Sequence, residues 1–381
     1  MNLVISRGPM QVAVPNVVGD TQSSATTAIT GAGLTLGTVS QGFSGTAAFG
    51  SIMSQSPAAG TAATSGSAVN LVVSSTFAAL SVTMVSPRAG HTATLLNSGD
   101  VILMGGDDKF PSTGTTYGSA ELYNPTANTF AAISASMTTA RENFAAALLP
   151  NGQVLVTGGF NNNTPDLSSA ELYDPVAGTF TALNAAMTSV RSAHTATLLQ
   201  SGKVLITGGT DQTGNALNSA ELYDPVAQTF TAITATMTTT RQGHTATMIS
   251  DGTVLLTGGF DANKNNLNTA EIYDPVANSF TALSATMTSA RALHRAALLA
   301  NGQVLITGGG SGPEVLASLT VLNTAEVYDP TAKTFTGVVA TLTVPRAGHT
   351  ETLLPGGQIL ITGGASSTNG AALATAEQSG P

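Results

Sequence analysis

The sequence predicts a mainly β protein: a β-propeller of six four-stranded sheets, joined to a small α+β domain that precedes it. Three observations carry this. A unit of about fifty residues recurs six times after residue 76, and repetition at that period marks a solenoid, propeller or array. Each unit reads as four short strands divided by turn residues. The last unit also lacks a fourth strand, while a strand of that kind stands alone before the first unit.

In chain order, Asn2-Leu-Val-Ile-Ser6 nearly duplicates Asn70-Leu-Val-Val-Ser74, so residues 1–10 read as the closing strand of a preceding domain and residues 11–75 as a complete one. That domain opens with Val14-Pro-Asn-Val-Val-Gly19. It continues with a short helix over residues 21–32, capped by Asp20 or Thr21 and ended by Gly33, and it closes with the strand after Gly66. Opening, helix, Ser56-Pro-Ala-Ala-Gly-Thr61 and closing strand together resemble a PASTA domain. The resemblance implies cell-wall contact, as in penicillin-binding proteins and Ser/Thr kinases, although Asp20 is the only charge in this copy. Residues 75–77 contain no flexible linker, so the small domain should sit stiffly beside the propeller.

One repeat shows how the strands are set. Residues 194–199 form the first; Ser201-Gly202 turns the chain into the second, residues 204–207, because glycine tolerates the positive φ of a tight hairpin. Gly208-Gly209 ends that strand, a variable loop follows, Ala220-Glu-Leu-Tyr-Asp-Pro225 supplies the third strand and its turn, and Phe230 opens the fourth. A Gly pair ending the second strand, Tyr-Asp-Pro on the third and an aromatic opening the fourth resemble the kelch family, over residues 76–381. Phe130, Phe180, Phe230, Phe280 and Phe335 stand where kelch blades usually carry Trp, and the final third strand, Thr375-Ala-Glu-Gln-Ser-Gly-Pro381, lacks the Tyr. Thr76-Phe-Ala-Ala-Leu-Ser-Val-Thr-Met84 matches Ser279-Phe-Thr-Ala-Leu-Ser-Ala-Thr-Met287, so residues 76–84 should complete the last blade and remove two open sheet edges. Phe77, Leu80 and Val82 are expected to be buried at that seam.

Composition narrows the function. The chain has 381 residues, net charge −9, 9% charged residues and no Cys. Nucleic-acid and polybasic membrane contacts need clustered Lys and Arg, and only 12 are present. No apolar run is long enough to span a bilayer. The Ala, Thr, Ser and Gly content resembles bacterial surface proteins, which places the chain at the cell surface or outside the cell.

The repeat also orders the candidate site residues. All five histidines, His91, His194, His244, His294 and His349, follow an arginine by three residues, and Phe144 fills the sixth slot. Ligands to one metal must converge on a point about 2 Å away, which residues spread over successive blades do not do. The histidines therefore read as structural, as do Arg88, Arg191, Arg241, Glu121, Glu221 and Glu271, whose recurrence predicts buried ion pairs or hydrogen bonds to strand ends. The repeated Tyr hydroxyls should find backbone partners. No catalytic residue, metal site or cofactor is expected; the kelch-like galactose oxidases need a Tyr cross-linked to Cys plus His ligands to copper, and without Cys that chemistry does not carry over. What varies is the loop after each Gly pair. Asp107, Phe110, Tyr117, Phe160, Asn162, Asp211, Phe260, Asp261 and Asn263 are the binding candidates there, with Asn and Asp to hydrogen-bond and aromatics to stack on a glycan or protein. Asp261-x-Asn263-x-Asn265 echoes a calcium loop, but polar turn chemistry accounts for it better. The expected function is a non-enzymatic extracellular binding or adhesion module. One alternative is a structural subunit of a surface assembly or filament, with residues 2–6 adding a strand to a neighbour; the other, a galactose-oxidase-like enzyme, is disfavoured by the absence of Cys.

Overall fold

The computed structural model describes residues 9–110, 114–163, 166–312, 319–368 and 370–380. The strand expected at residues 2–6, and with it the proposed route to self-assembly, lies outside them, as does Glu314 of the fifth variable loop.

The small domain forms around its single helix, Gln22–Gly31. Its Ser and Thr content gives little intrinsic helix preference, and Thr26, Thr27 and Thr30 turn their hydroxyls back onto carbonyls one turn earlier. Packing holds it instead: Ala25 and Ile29 bury against Val17, Ile52, Val69 and Leu71. Thr21 is the cap, its hydroxyl accepting the Ser24 N–H. Thr35–Gly42 runs parallel to Ala68–Ser74, and Ile52–Ser56 pairs antiparallel on the other side.

From residue 76 onward the described chain forms six four-stranded antiparallel sheets. In one, Thr195–Leu198, Val204–Thr207, Ala220–Asp224 and Thr229–Ala232 lie in chain order. Second strands are uninterrupted apolar runs ending in Thr or Met, wholly buried, because neighbouring sheets cover both faces. Outer strands show solvent one face, and this corrects the expectation for the seam: Phe77 is buried, but Leu80 and Val82 are half-buried, and Met84 is the second residue enclosed there. Innermost strands neighbour one another around a channel, and the circuit closes where Thr350–Leu353 meets Thr92–Leu95.

The last sheet is completed by Thr76–Thr83, which pairs antiparallel with Thr375–Gly380. In the five other sheets, a third-strand Tyr stands opposite a fourth-strand Phe with ring centroids 4.6–4.7 Å apart. Here Ser379 occupies the Tyr position opposite Phe77. The missing ring comes from the small domain: Phe43 stacks on Phe77 at 5.3 Å and 20° and joins Leu299, Leu305, Ile359 and Ile361 in one buried cluster. Ser379 Oγ donates to Gln41 Oε1, and the Ser44 carbonyl accepts the Val339 N–H. The small domain is therefore part of the seam.

Candidate functional site

Each blade is locked by the same buried device. Arg88, Arg141, Arg191, Arg241, Arg291 and Arg346 pair with Glu121, Glu171, Glu221, Glu271, Glu326 and Glu377 at 2.8–3.0 Å. Each guanidinium also donates to the carbonyl of the first glycine of the Gly pair, as Arg191 does to Gly208. The second Glu oxygen accepts an N–H from the chain entering the blade, as Glu221 does from Thr188. A Cβ at Gly208 would collide with the Arg241 carbonyl and the His244 ring, which is why glycine stands there.

The histidines join neighbouring blades. His91, His194, His244, His294 and His349 place Nε2 2.9–3.1 Å from the hydroxyls of Thr362, Thr157, Thr207, Thr257 and Thr307 on the preceding blade. At the sixth junction both partners change, Phe144 packing in one cluster with Met104. Burial keeps all five imidazoles neutral, holding His194 and His244 down to about 3. Tyr123 and Tyr273 hydroxyls donate to the side chains of Asn128 and Asn278, not to the expected backbone groups, because those Asn residues turn into the αL region beneath the ring.

At the start of the inner strands, Gly90, Asn143, Ala193, Gly243, Leu293 and Gly348 all have positive φ. Each donates its N–H to the carbonyl of its neighbour in the preceding blade, at 2.7–2.9 Å, and Gly90 to Gly348 closes a six-membered ring. Inside the inner strands lies a cavity of about 190 Å³, lined by Ala93, Ala146, Ala196, Ala246 and Ala296. Two charged residues that sequence reasoning passed over also line it: Arg295 on the fifth blade and Glu351 on the sixth. The available signal was departure from the repeat, since Arg295 stands where other blades have Thr or Ala, and Glu351 where they have Ala. Burial pushes Glu351 up to about 8, against the opposing pull of the Thr307 hydroxyl and Arg295; it brings Arg295 down to about 10.

The binding candidates on the variable loops divide. Asn162 and Asn263 are exposed, and Phe160, Tyr117, Asp211 and Asp261 half-exposed. Phe110, Phe260 and Asp107 are corrected: all three are buried. Phe260 sits against Ala292 and Leu319, and Phe110 against Ala89, Ala365 and Ala372, so each ring anchors its loop to the scaffold and offers no stacking surface. Tyr117 lies over the Arg88 guanidinium at 5.0 Å. Asp211 accepts the N–H groups of Thr213 and Asn215, and Asp261 those of Asn263 and Asn265, so both carboxylates are engaged in turns. On the opposite face, Asp174, Asp224, Asp274 and Asp329 repeat one turn, each accepting two N–H groups.

Comparison with known proteins agrees with this architecture. Residues 182–364 match the family model described as the KLHDC2/KLHL20/DRC7 Kelch-repeats domain, residues 143–185 match the Kelch motif, and residues 12–75 match the PASTA domain. No curated protein matches the chain in sequence. Among solved structures, one titled "Structure of YjhT" is similar in fold, with TM-score 0.65 and 14% identity, over 77% of this chain and 95% of that one. No helix among the described residues is long and apolar enough to cross a membrane.

Proposed function

Taking as premise that this chain is a kelch-repeat propeller preceded by a PASTA domain, we propose that it is a non-enzymatic extracellular binding module that recognises a protein or glycan through the loops after the Gly pairs. A kelch propeller suggests a protein-binding module, and a PASTA domain is typical of bacterial cell-surface proteins. The observation that carries the reading is the contrast between faces. One repeats a single turn almost unchanged; the other presents loops of unequal length, whose Asp211 and Asp261 also close turns but where Asn163, Gln212 and Asn263 are exposed. Asn162, Asn215 and Asn265 are exposed too, with their amide N–H groups donating within the loops and their Oδ1 acceptors left for a partner.

The test is a surface-protein and glycan array screen with the full chain, repeated with Asn162, Asn215 and Asn263 changed together to Ala. Loss of roughly tenfold or more in affinity is expected, since several net hydrogen bonds of about 1 kcal/mol each would go. Deleting residues 9–75 is no control, because Phe43 completes the propeller core. Substitution of the exposed Val18 and Phe49 of the PASTA domain is the clean comparison. Binding that survives the loop changes and falls with these would place recognition on the PASTA domain and refute the proposal.

A further inference from the structure

Three side chains on successive inner strands interrupt the channel lining. On the fifth blade Arg295 replaces the usual Thr or Ala; on the sixth Glu351 replaces Ala; on the first, Thr92 keeps the repeat residue but has lost its partner. Thr195 and Thr245 bond across their hairpins to Thr207 and Thr257 at 2.6 Å, whereas Thr92 stands opposite Met104, and its buried hydroxyl has no partner. Glu351 Oε2 accepts from Thr307 at 2.6 Å, but Oε1 is likewise buried without a partner. Arg295 donates to the His294 carbonyl at 2.9 Å and otherwise lines the cavity. Buried polar atoms are ordinarily satisfied. The same cavity is lined by His91, His194 and His244, whose Nδ1 atoms are also unpartnered but recur with the repeat; the two unpartnered oxygens and the guanidinium are what three adjacent blades add to it, and together they describe a ligand's complement.

We infer that this arc binds a small hydroxycarboxylate, with the carboxylate on Arg295 and the hydroxyl between Glu351 and Thr92. The planar guanidinium fork matches a carboxylate bidentately, and a single guanidinium balances one negative charge, which disfavours a dianion such as phosphate. Burial keeps Glu351 protonated at neutral pH, so it acts as a donor and does not repel the guest. The cavity of about 190 Å³ fixes the scale: an apolar cavity of about 150 Å³ holds benzene, so the guest has roughly six to nine heavy atoms.

The experiment is calorimetric titration of the full chain with sodium glycerate, with glycerol, acetate and inorganic phosphate as comparisons. Saturable binding of glycerate is expected, with acetate weaker and glycerol absent. Arg295→Thr and Glu351→Ala restore residues that other blades carry at these positions, so both variants keep the fold. Arg295→Thr should weaken glycerate roughly tenfold to a hundredfold, the range for a charged hydrogen bond, and Glu351→Ala should remove the preference for glycerate over acetate. Absence of saturable glycerate binding by the parent, undiminished binding by Arg295→Thr, or preference for phosphate would each overturn the inference.

Discussion

Replacing Phe43 by Ala tests whether the PASTA domain is a structural part of the propeller. Phe43 is 1% exposed, lies in the cluster between the fifth and sixth blades and stacks on Phe77 at 5.3 Å. Removing a buried Phe ring costs about 3–5 kcal/mol, so a fall of that size is expected in the free energy of urea unfolding. The comparison that isolates the mechanism is Ser379→Tyr, which restores the residue of the other five blades. With Phe43 present, two rings compete for one space, the Ser379 bond to Gln41 is lost, and overpacking should cost about 1–3 kcal/mol. In the Phe43→Ala background the same change supplies the absent ring and should recover about 1–2 kcal/mol. The sign of Ser379→Tyr therefore reverses between backgrounds. A Phe43→Ala cost under about 1 kcal/mol, or the same sign in both backgrounds, would refute the reasoning.

Three further outcomes follow from the buried polar groups. The five histidines are neutral when folded, with His194 and His244 titrating near 3, and the unfolded chain takes up protons below about 6.5, so stability should fall as pH drops from 6.5 towards 3; at pH 4 each of these two residues costs about 3 kcal/mol. Glu351 works in the opposite sense, its raised pKa adding stability that is complete below about 4.5 and lost as pH rises through about 8. Copying the Phe144 and Met104 junction with His194→Phe and Thr157→Met should shallow the acid slope of the urea midpoint by one histidine's share, and an unchanged slope would show that these imidazoles do not drive it. Glu221→Gln leaves the Arg191 guanidinium buried without its counter-charge and should cost about 3 kcal/mol in thermal or urea unfolding; near-neutrality would mean that the pairs are dispensable.

What the sequence disclosed was whatever recurs. Arg, Glu, the Gly pair and the Tyr and Phe positions return at one spacing, and their shared burial follows from shared register. The absent Tyr at Ser379 was visible too, but its replacement was not, because Phe43 belongs to another domain and its pairing has no period. Phe110 and Phe260 were misread for a related reason: in a polar loop a lone aromatic side chain attracts a binding interpretation, while burial of its apolar area favours using it as the loop's anchor. The Phe144 and Met104 exchange joins residues on neighbouring blades, so neither substitution explains itself alone. Arg295 and Glu351 escaped because a search for invariant positions discards departures, and in a repeat protein the departures are where one blade differs chemically from the next.

The circle of N–H to C=O bonds through Gly90, Asn143, Ala193, Gly243, Leu293 and Gly348 has a consequence for what the channel mouth can attract. A helix ends with unused donors at one pole and unused acceptors at the other, and so acquires an anion-seeking terminus. A closed head-to-tail loop has no terminus: within it every amide hydrogen is matched by a carbonyl, and peptide dipoles directed around a circle sum to nearly nothing. The backbone at this opening is thus electrostatically mute, and any discrimination among solutes entering the propeller falls to the few side chains that break its symmetry.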